Sequence, residues 1–309
     1  MKKITLFALL ALIFGSVAAQ QDPMYSQYMF NQLVINPAYA GNKKFVSTSL
    51  LYRHQWAGFA GAPKTAVASI HGPWHGKKVG LGLTIMNDHI GVTNRFEIKG
   101  DYAYHIPLTE DLKLSLGLSA GLSHYYAKND ELIYWDENDA EFNGTTQSNL
   151  LPNFGAGAFL YTKKFYIGLS VPELLSYDKS RVMSLEAGDA VVNRQVRHYF
   201  ATAGYVFVVN EDLAIRPSTL VKYSANTPVQ ADFNVNLLIK NVLWLGGSYR
   251  TNDAMVAIAE FQINKKLRIG YSYDFTMSEM NNYSNGTHEV MIGYDFGYDV
   301  MKMKTPRYF

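Results

Sequence analysis

The sequence contains no cysteine, so disulfides do not hold it together and its stability comes from elsewhere. It also lacks a long hydrophobic run beyond residue 20. Nothing there approaches the roughly 20 apolar residues of a spanning helix, so a membrane-resident chain of this kind crosses as strands. Charge of one sign is missing too. The first nineteen residues carry Lys2 and Lys3, an apolar run from Ile4 to Phe14 and the small residues Val17, Ala18 and Ala19, the layout of a secretory signal peptide. Cleavage after Ala19 or Gln20 removes two lysines and no acids, taking 28 basic against 26 acidic residues to 26 against 26. A neutral chain has no basic excess to displace counterions from phosphates, which argues against nucleic acid as a partner. No composition shift or Pro/Gly/Ser linker divides what remains.

What the chain has in quantity is glycine and tyrosine, 24 and 22 residues, the mix of strands with interfacial aromatic girdles. From about Val46 it becomes a series of period-two segments, the signature of strands whose faces meet different media. Leu112 to Ser123 is the clearest, with leucine or alanine at every even position and lysine, serine or glycine at every odd one. Phe96, Ile98, Tyr102 and Tyr104 likewise oppose Arg95, Glu97, Lys99 and Asp101, a charged face able to pair across an interior. Phe233 and Val235 oppose Asp232 and Asn234, and Ile269, Tyr271 and Tyr273 oppose Arg268 and Asp274.

Fourteen such segments are predicted, near 44–55, 64–72, 78–87, 94–106, 111–126, 152–162, 164–172, 196–208, 212–224, 228–239, 242–250, 254–263, 266–276 and 287–298. Their number is even, as closed bacterial barrels prefer. Counting from inside, odd-numbered connections include the long stretches 127–151 and 173–195, whereas even-numbered ones are tight turns. Long outer loops with short periplasmic turns are the outer-membrane barrel rule. A closed barrel is also the only strand arrangement that satisfies every backbone group in hydrocarbon. A soluble β-sandwich is the competing fold, and nothing in a sandwich sorts its loops this way.

Motifs of chemistry are weak. Gly117-Leu118-Ser119-Ala120-Gly121 matches G-x-S-x-G, but a nucleophile elbow needs a strained strand-to-helix turn and these residues sit within the most regular alternating segment. His71 and His75 have helical metal-ligand spacing, yet Gly72 and Pro73 between them forbid the helix, so they are expected in a turn facing the periplasm. The acidic loop from Asn129 to Asn143 departs from EF-hand spacing at Ala140. A solvated outer loop is expected there, with Tyr134 and Trp135 available as a docking surface. No catalytic residue, metal or cofactor is predicted.

The stretch from Asp22 to Gly41 is unlike the rest, with one charge and many Tyr, Asn and Gln residues. Asn36-Pro37 should stop any helix begun near Asp22. Here Asp22-Pro23, Tyr25-Ser26-Gln27-Tyr28-Met29-Phe30-Asn31 and Asn36-Pro37-Ala38-Tyr39-Ala40-Gly41 resemble the opening of the PorP/SprF family, outer-membrane proteins associated with type IX secretion in gliding and related bacteria. Gln55-Trp56-Ala57-Gly58-Phe59 with Gly61-Ala62-Pro63 resembles the family's first outer loop, and Pro306-Arg307-Tyr308-Phe309 its ending. The resemblance implies a non-enzymatic partner in the export or surface anchoring of a cargo protein such as an adhesin, whose C-terminal secretion domain needs a cognate family member. It also implies association with a periplasmic ring of the secretion machinery. Asn36-Pro37-Ala38 faintly resembles a box in outer-membrane fatty-acid transporters, which makes a transporter of hydrophobic or small solutes the alternative.

The expected architecture is an all-β transmembrane antiparallel outer-membrane β-barrel of about 14 strands with a short N-terminal lumen plug. Residues 1–19 form the signal peptide, 20–43 the plug, 44–298 the barrel and 299–309 a periplasmic tail. Plug residues Asp22, Pro23, Tyr25, Gln27, Tyr28, Asn31, Asn36, Pro37, Tyr39 and Gly41 are expected to meet the lumen residues Arg95, Glu97, Asp101, Asp232, Arg268 and Asp274, with Gln230 and Asn234 beside them. Trp56, Phe59, Tyr134 and Trp135 are the expected cargo-facing aromatics. Arg307, Tyr308 and Phe309 are the tail residues for periplasmic partners, and membrane lipids surround the wall.

Overall fold

The computed structural model describes residues 23–74, 78–128, 147–175, 196–225 and 227–297. Its strands are β1 (Val46–His54), β2 (Lys64–Trp74), β3 (Val79–Ile90), β4 (Thr93–Pro107), β5 (Lys113–Ala127), β6 (Gln147–Tyr161), β7 (Phe165–Val171), β8 (His198–Tyr205), β9 (Phe207–Val208), β10 (Leu213–Ser224), β11 (Gln230–Ile239), β12 (Leu243–Arg250), β13 (Ala254–Gln262), β14 (Leu267–Thr276) and β15 (Thr287–Phe296). Neighbours pair antiparallel from β11 through β15 to β1 and on to β10, and the β10–β11 ladder closes the ring. β8 and β9 are one stave. Ser218 faces Gly204 and Ala214 faces Val208, the same register on both sides of the gap. The interruption falls opposite Pro217, which has no N–H to give the ladder. Fourteen staves therefore make a closed barrel.

Each predicted segment is a stave, with shifted ends. β2 runs on through Gly72 and Pro73 to Trp74, so His71 is a buried strand residue and not a turn residue. A Cβ at Gly72 would press on Val46, so glycine there serves close packing within the sheet. β3 extends to Ile90 and leaves only residues 91–92 as its connection to β4, with Gly91 at φ 57°. That end of the barrel thus mixes long connections with tight ones. β6 starts at Gln147, not 152. At the opposite end, Lys240 and Asn241 both have positive φ and Val242 N–H closes on Ile239 O at 3.0 Å, the paired left-handed residues of a type I′ hairpin.

Alternation sets which medium each side chain meets. Leu116, Leu118 and Leu122 of β5 point outward and are exposed, while Ser115, Ser119 and Ser123 point inward and are buried. The same division runs around the ring: Phe233, Ile269 and Ile292 face out, and Asp232, Arg268 and Glu289 face in. Leu118 is 63% exposed whereas Glu289 is 0% exposed, an inversion of the soluble pattern that is stable only with hydrocarbon outside.

Candidate functional site

The protein's own N-terminal segment packs against inward-facing residues of the wall. Residues 25–33 and 35–41 are buried, and they touch side chains from opposite walls of the ring, so this stretch lies within it. Its backbone folds as three short 3₁₀ turns, Tyr28–Phe30, Gln32–Val34 and Pro37–Tyr39. No α-helix forms. Asn36 caps the last turn: its Oδ1 accepts from Ala38 N–H at 2.9 Å, and Pro37 takes the first helical position where no N–H is needed.

At the end of the barrel bearing the connection 55–63, charged groups grip the start of the segment. Glu289 accepts from the backbone N–H of Ser26 (2.9 Å) and Gln27 (2.8 Å). Ser26 Oγ donates to Asp274 at 2.7 Å and accepts from Arg53 Nη1 at 2.9 Å. Arg53 also pairs with Asp274 (2.8 Å) and Glu289 (3.1 Å). Arg250 joins Asp232 (3.2 Å), Asp253 (3.2 Å) and Asp274 (3.3 Å). Buried charges persist only when paired and hydrogen-bonded, and here the segment's own amides complete the set.

Farther along, Asn234 Nδ2 donates to the Tyr28 hydroxyl at 2.6 Å. The Phe30 ring stacks edge-on with Trp244, and the guanidinium of Arg216 lies 4.6 Å from Phe30 and 4.2 Å from Trp244, a cation–π clamp in a site shielded from water. Asn31 Nδ2 donates to Ser69 Oγ at 2.9 Å.

At the opposite end a glycine-faced wall receives the Asn36–Gly41 stretch. A Cβ on Gly117 would come within 2.2 Å of Ala38 N, one on Gly80 within 2.0 Å of Ala40 O, and one on Gly157 within 2.2 Å of Asn36 Oδ1. Only glycine lets backbone approach backbone this closely. Asn36 Nδ2 donates to Ala158 O at 3.1 Å and Ser170 Oγ to Ile35 O at 2.6 Å. Gly41 N–H donates to His71 Nδ1 at 3.2 Å, and His105 Nε2 lies 2.9 Å from Ala40 O. Tyr39 packs against Phe159 and His71. Burial pushes its hydroxyl up to about 12, so the ring sits there neutral.

The structure places the predicted lumen residues on the inward face but connects them unequally. Asp274 bonds the segment directly, and Asp232 reaches it through Arg250. Arg268 pairs with Asp295 (3.0 Å) and Glu260 (3.7 Å). Arg95 bonds Glu97 (2.6 Å) and Glu173, and Asp101 is buried beside Leu33, close to Gly82. Sequence reasoning missed Arg53, Glu289, Arg250 and Arg216. Each stands at odd spacing from an outward apolar residue of its own strand, Tyr52, Val290, Tyr249 and Ile215, a signal that the period-two rule contains. Ser119 is a buried mid-strand residue of β5, without the strand-to-helix turn of an elbow.

Among the aromatics, Trp56 is half-buried at φ 50°, its backbone N–H donating to Thr287 Oγ1 at 3.1 Å; Ala57 bonds both Gly286 and Asn285. Phe59 is 45% exposed. Asp22, His75, the acidic loop with Tyr134 and Trp135, and Arg307, Tyr308 and Phe309 lie outside the described residues.

A family model described as type IX secretion system membrane protein PorP/SprF matches residues 17–294. A comparison with curated proteins finds no match. Among solved structures, the CymD monoaromatic hydrocarbon channel is similar at TM-score 0.51 and 11% identity, over 89% of this chain and 93% of that one. A Pseudomonas aeruginosa FadL homologue gives 0.46 at 12% identity over 92% and 96%, and Omp33 of Acinetobacter baumannii 0.48 at 11% over 83% and 100%. At such identities the likeness concerns the fold alone.

Proposed function

Because this chain belongs to the PorP/SprF family of type IX secretion system membrane proteins, we propose that it is a non-enzymatic outer-membrane barrel that partners the export or surface anchoring of a cargo protein, such as an adhesin, while its N-terminal segment acts as a plug. The observation that carries the reading is the bonding of that segment along the height of the lumen, from Ser26 on Asp274 and Glu289 to Gly41 on His71. A wall that invests buried ion pairs and apposed glycines in holding its own chain is suited to a scaffold that keeps its lumen shut. Cargo would then be met on the surface, by the connection 55–63 with Phe59 and by the stretches holding Tyr134 and Trp135. The sequence end with Arg307, Tyr308 and Phe309 is assigned to periplasmic secretion components.

A channel for hydrophobic or small solutes is the second reading, favoured by the fold shared with CymD, itself described as a monoaromatic hydrocarbon channel. Affinity capture from gently solubilised membranes, followed by mass spectrometry, separates the two. A secretion partner co-purifies with a large exported protein. Absence of any such protein, together with loss of solute uptake on deletion of the gene, favours the channel.

A further inference from the structure

The outer surface of the barrel carries an unassigned row of cationic and polar residues. Cross-strand register sets His288 beside His54, His54 beside Lys64, Lys64 beside His89, His89 beside Asn94 and Asn94 beside Tyr126. Residues opposite each other share a face. This face is the outward one, since Lys64 and His89 are exposed, as are Tyr52, Phe96 and Val290 two residues farther into the strands. The row lies at the barrel end bearing the connection 55–63. With His124, it places four of the chain's eight histidines on this one rim. Over β3–β5 it opens into a recess of about 340 Å³ lined by His89, Val92, Asn94, His124, Tyr126 and Lys128.

Charge and position together select the ligand. The five carboxylates of the same strands, Asp88, Glu97, Asp101, Glu289 and Asp295, are buried on the inward face, so among the described residues this side of the wall offers imidazole, amide and phenol groups, with the exposed ammonium of Lys64 beside His89, to an anion. Among the described residues no group of three metal-ligating side chains is close enough to hold a metal ion, and the exposed ammonium of Lys64, in register beside His89 at the edge of the recess, disfavours a cation. Phe96, Ile98 and Leu122, exposed on the barrel side of the recess, belong to the apolar band, which puts the recess at the level of lipid headgroups. We propose that this recess binds a phosphate group carried by a membrane lipid, whose acyl chains lie against Phe96, Ile98 and Leu122. The inference goes beyond the secretion reading and needs only that the barrel spans a membrane.

The test is native mass spectrometry of the purified full chain in mild detergent, with bisphosphorylated lipid A or its dephosphorylated counterpart added. The expected result is preferential retention of the phosphorylated lipid, with the preference reduced about tenfold in His89→Ala/His124→Ala, the loss of one or two charge-assisted bonds. Asn94→Asp, which replaces a donor by an acceptor, should reduce it as well; unchanged heat-modifiable gel migration verifies that both variants remain folded. Equal retention of the two lipids, or an undiminished preference in both variants, overturns the proposal. If inorganic phosphate at the lipid's concentration abolishes retention, the ligand is a free anion and the lipid assignment falls.

Discussion

Arg53 shows how a single residue couples wall and interior. Its guanidinium touches Asp274, Glu289 and Ser26 within 3.1 Å, so its removal takes the guanidinium from buried Glu289 and leaves Asp274, on the neighbouring stave, to Arg250. Breaking one side of a buried pair costs about 3–5 kcal/mol. Arg53→Ala should therefore lower the unfolding midpoint in urea, followed by gel migration, and Arg53→Lys should recover only part because a point charge cannot serve three partners in a planar fork. A midpoint equal to wild type for Arg53→Ala would show that the network carries no net stability. Gly117 works by absence of atoms. A side chain there collides with the backbone of Ala38, so Gly117→Val should displace the Pro37–Tyr39 turn and raise conductance in planar bilayers without preventing barrel assembly. Neither residue is conspicuous in the sequence, where Arg53 stands near the end of an ordinary strand and Gly117 alternates like its neighbours.

The N-terminal segment has no regular structure that could stand without the wall. Its three 3₁₀ turns are too short to be stable in isolation, and its polar groups find partners on staves β2, β4, β7, β11, β14 and β15. Deleting residues 23–41 should leave Asp274, Glu289 and His71 without these partners, giving a barrel that conducts more and unfolds at lower urea than the full chain. Conductance equal to that of the intact protein would refute the plug. The composition of this stretch, rich in Tyr, Asn and Gln, announced that it belongs to neither water nor lipid. Its path did not follow from composition, because 3₁₀ turns have no long periodicity to detect and are set by contacts with the wall.

At the scale of the molecule, orientation is the property on which function rests. If the connection 55–63 faces the cell exterior, a protease site inserted after Ala60 should be cut by protease added to intact cells, and one inserted at residues 209–212 should be protected until the outer membrane is opened. The reverse pattern would invert the barrel and with it the assignment of cargo-facing loops.

The sequence by itself determined the fourteen staves, the two faces of their most regular stretches and the sorting of most long connections to one side. These are local properties: a strand facing two media repeats every second residue, and turns carry their own residue preferences. It also marked the N-terminal stretch as exceptional. Tertiary structure alone decided that Ser26 meets Asp274, 248 positions away, that glycines of β3, β5 and β6 form the bed for Asn36 to Ala40, and that four histidines share one outer rim. Such placements depend on ring closure and on the register between staves, which bring together residues whose local sequences carry no mark of one another.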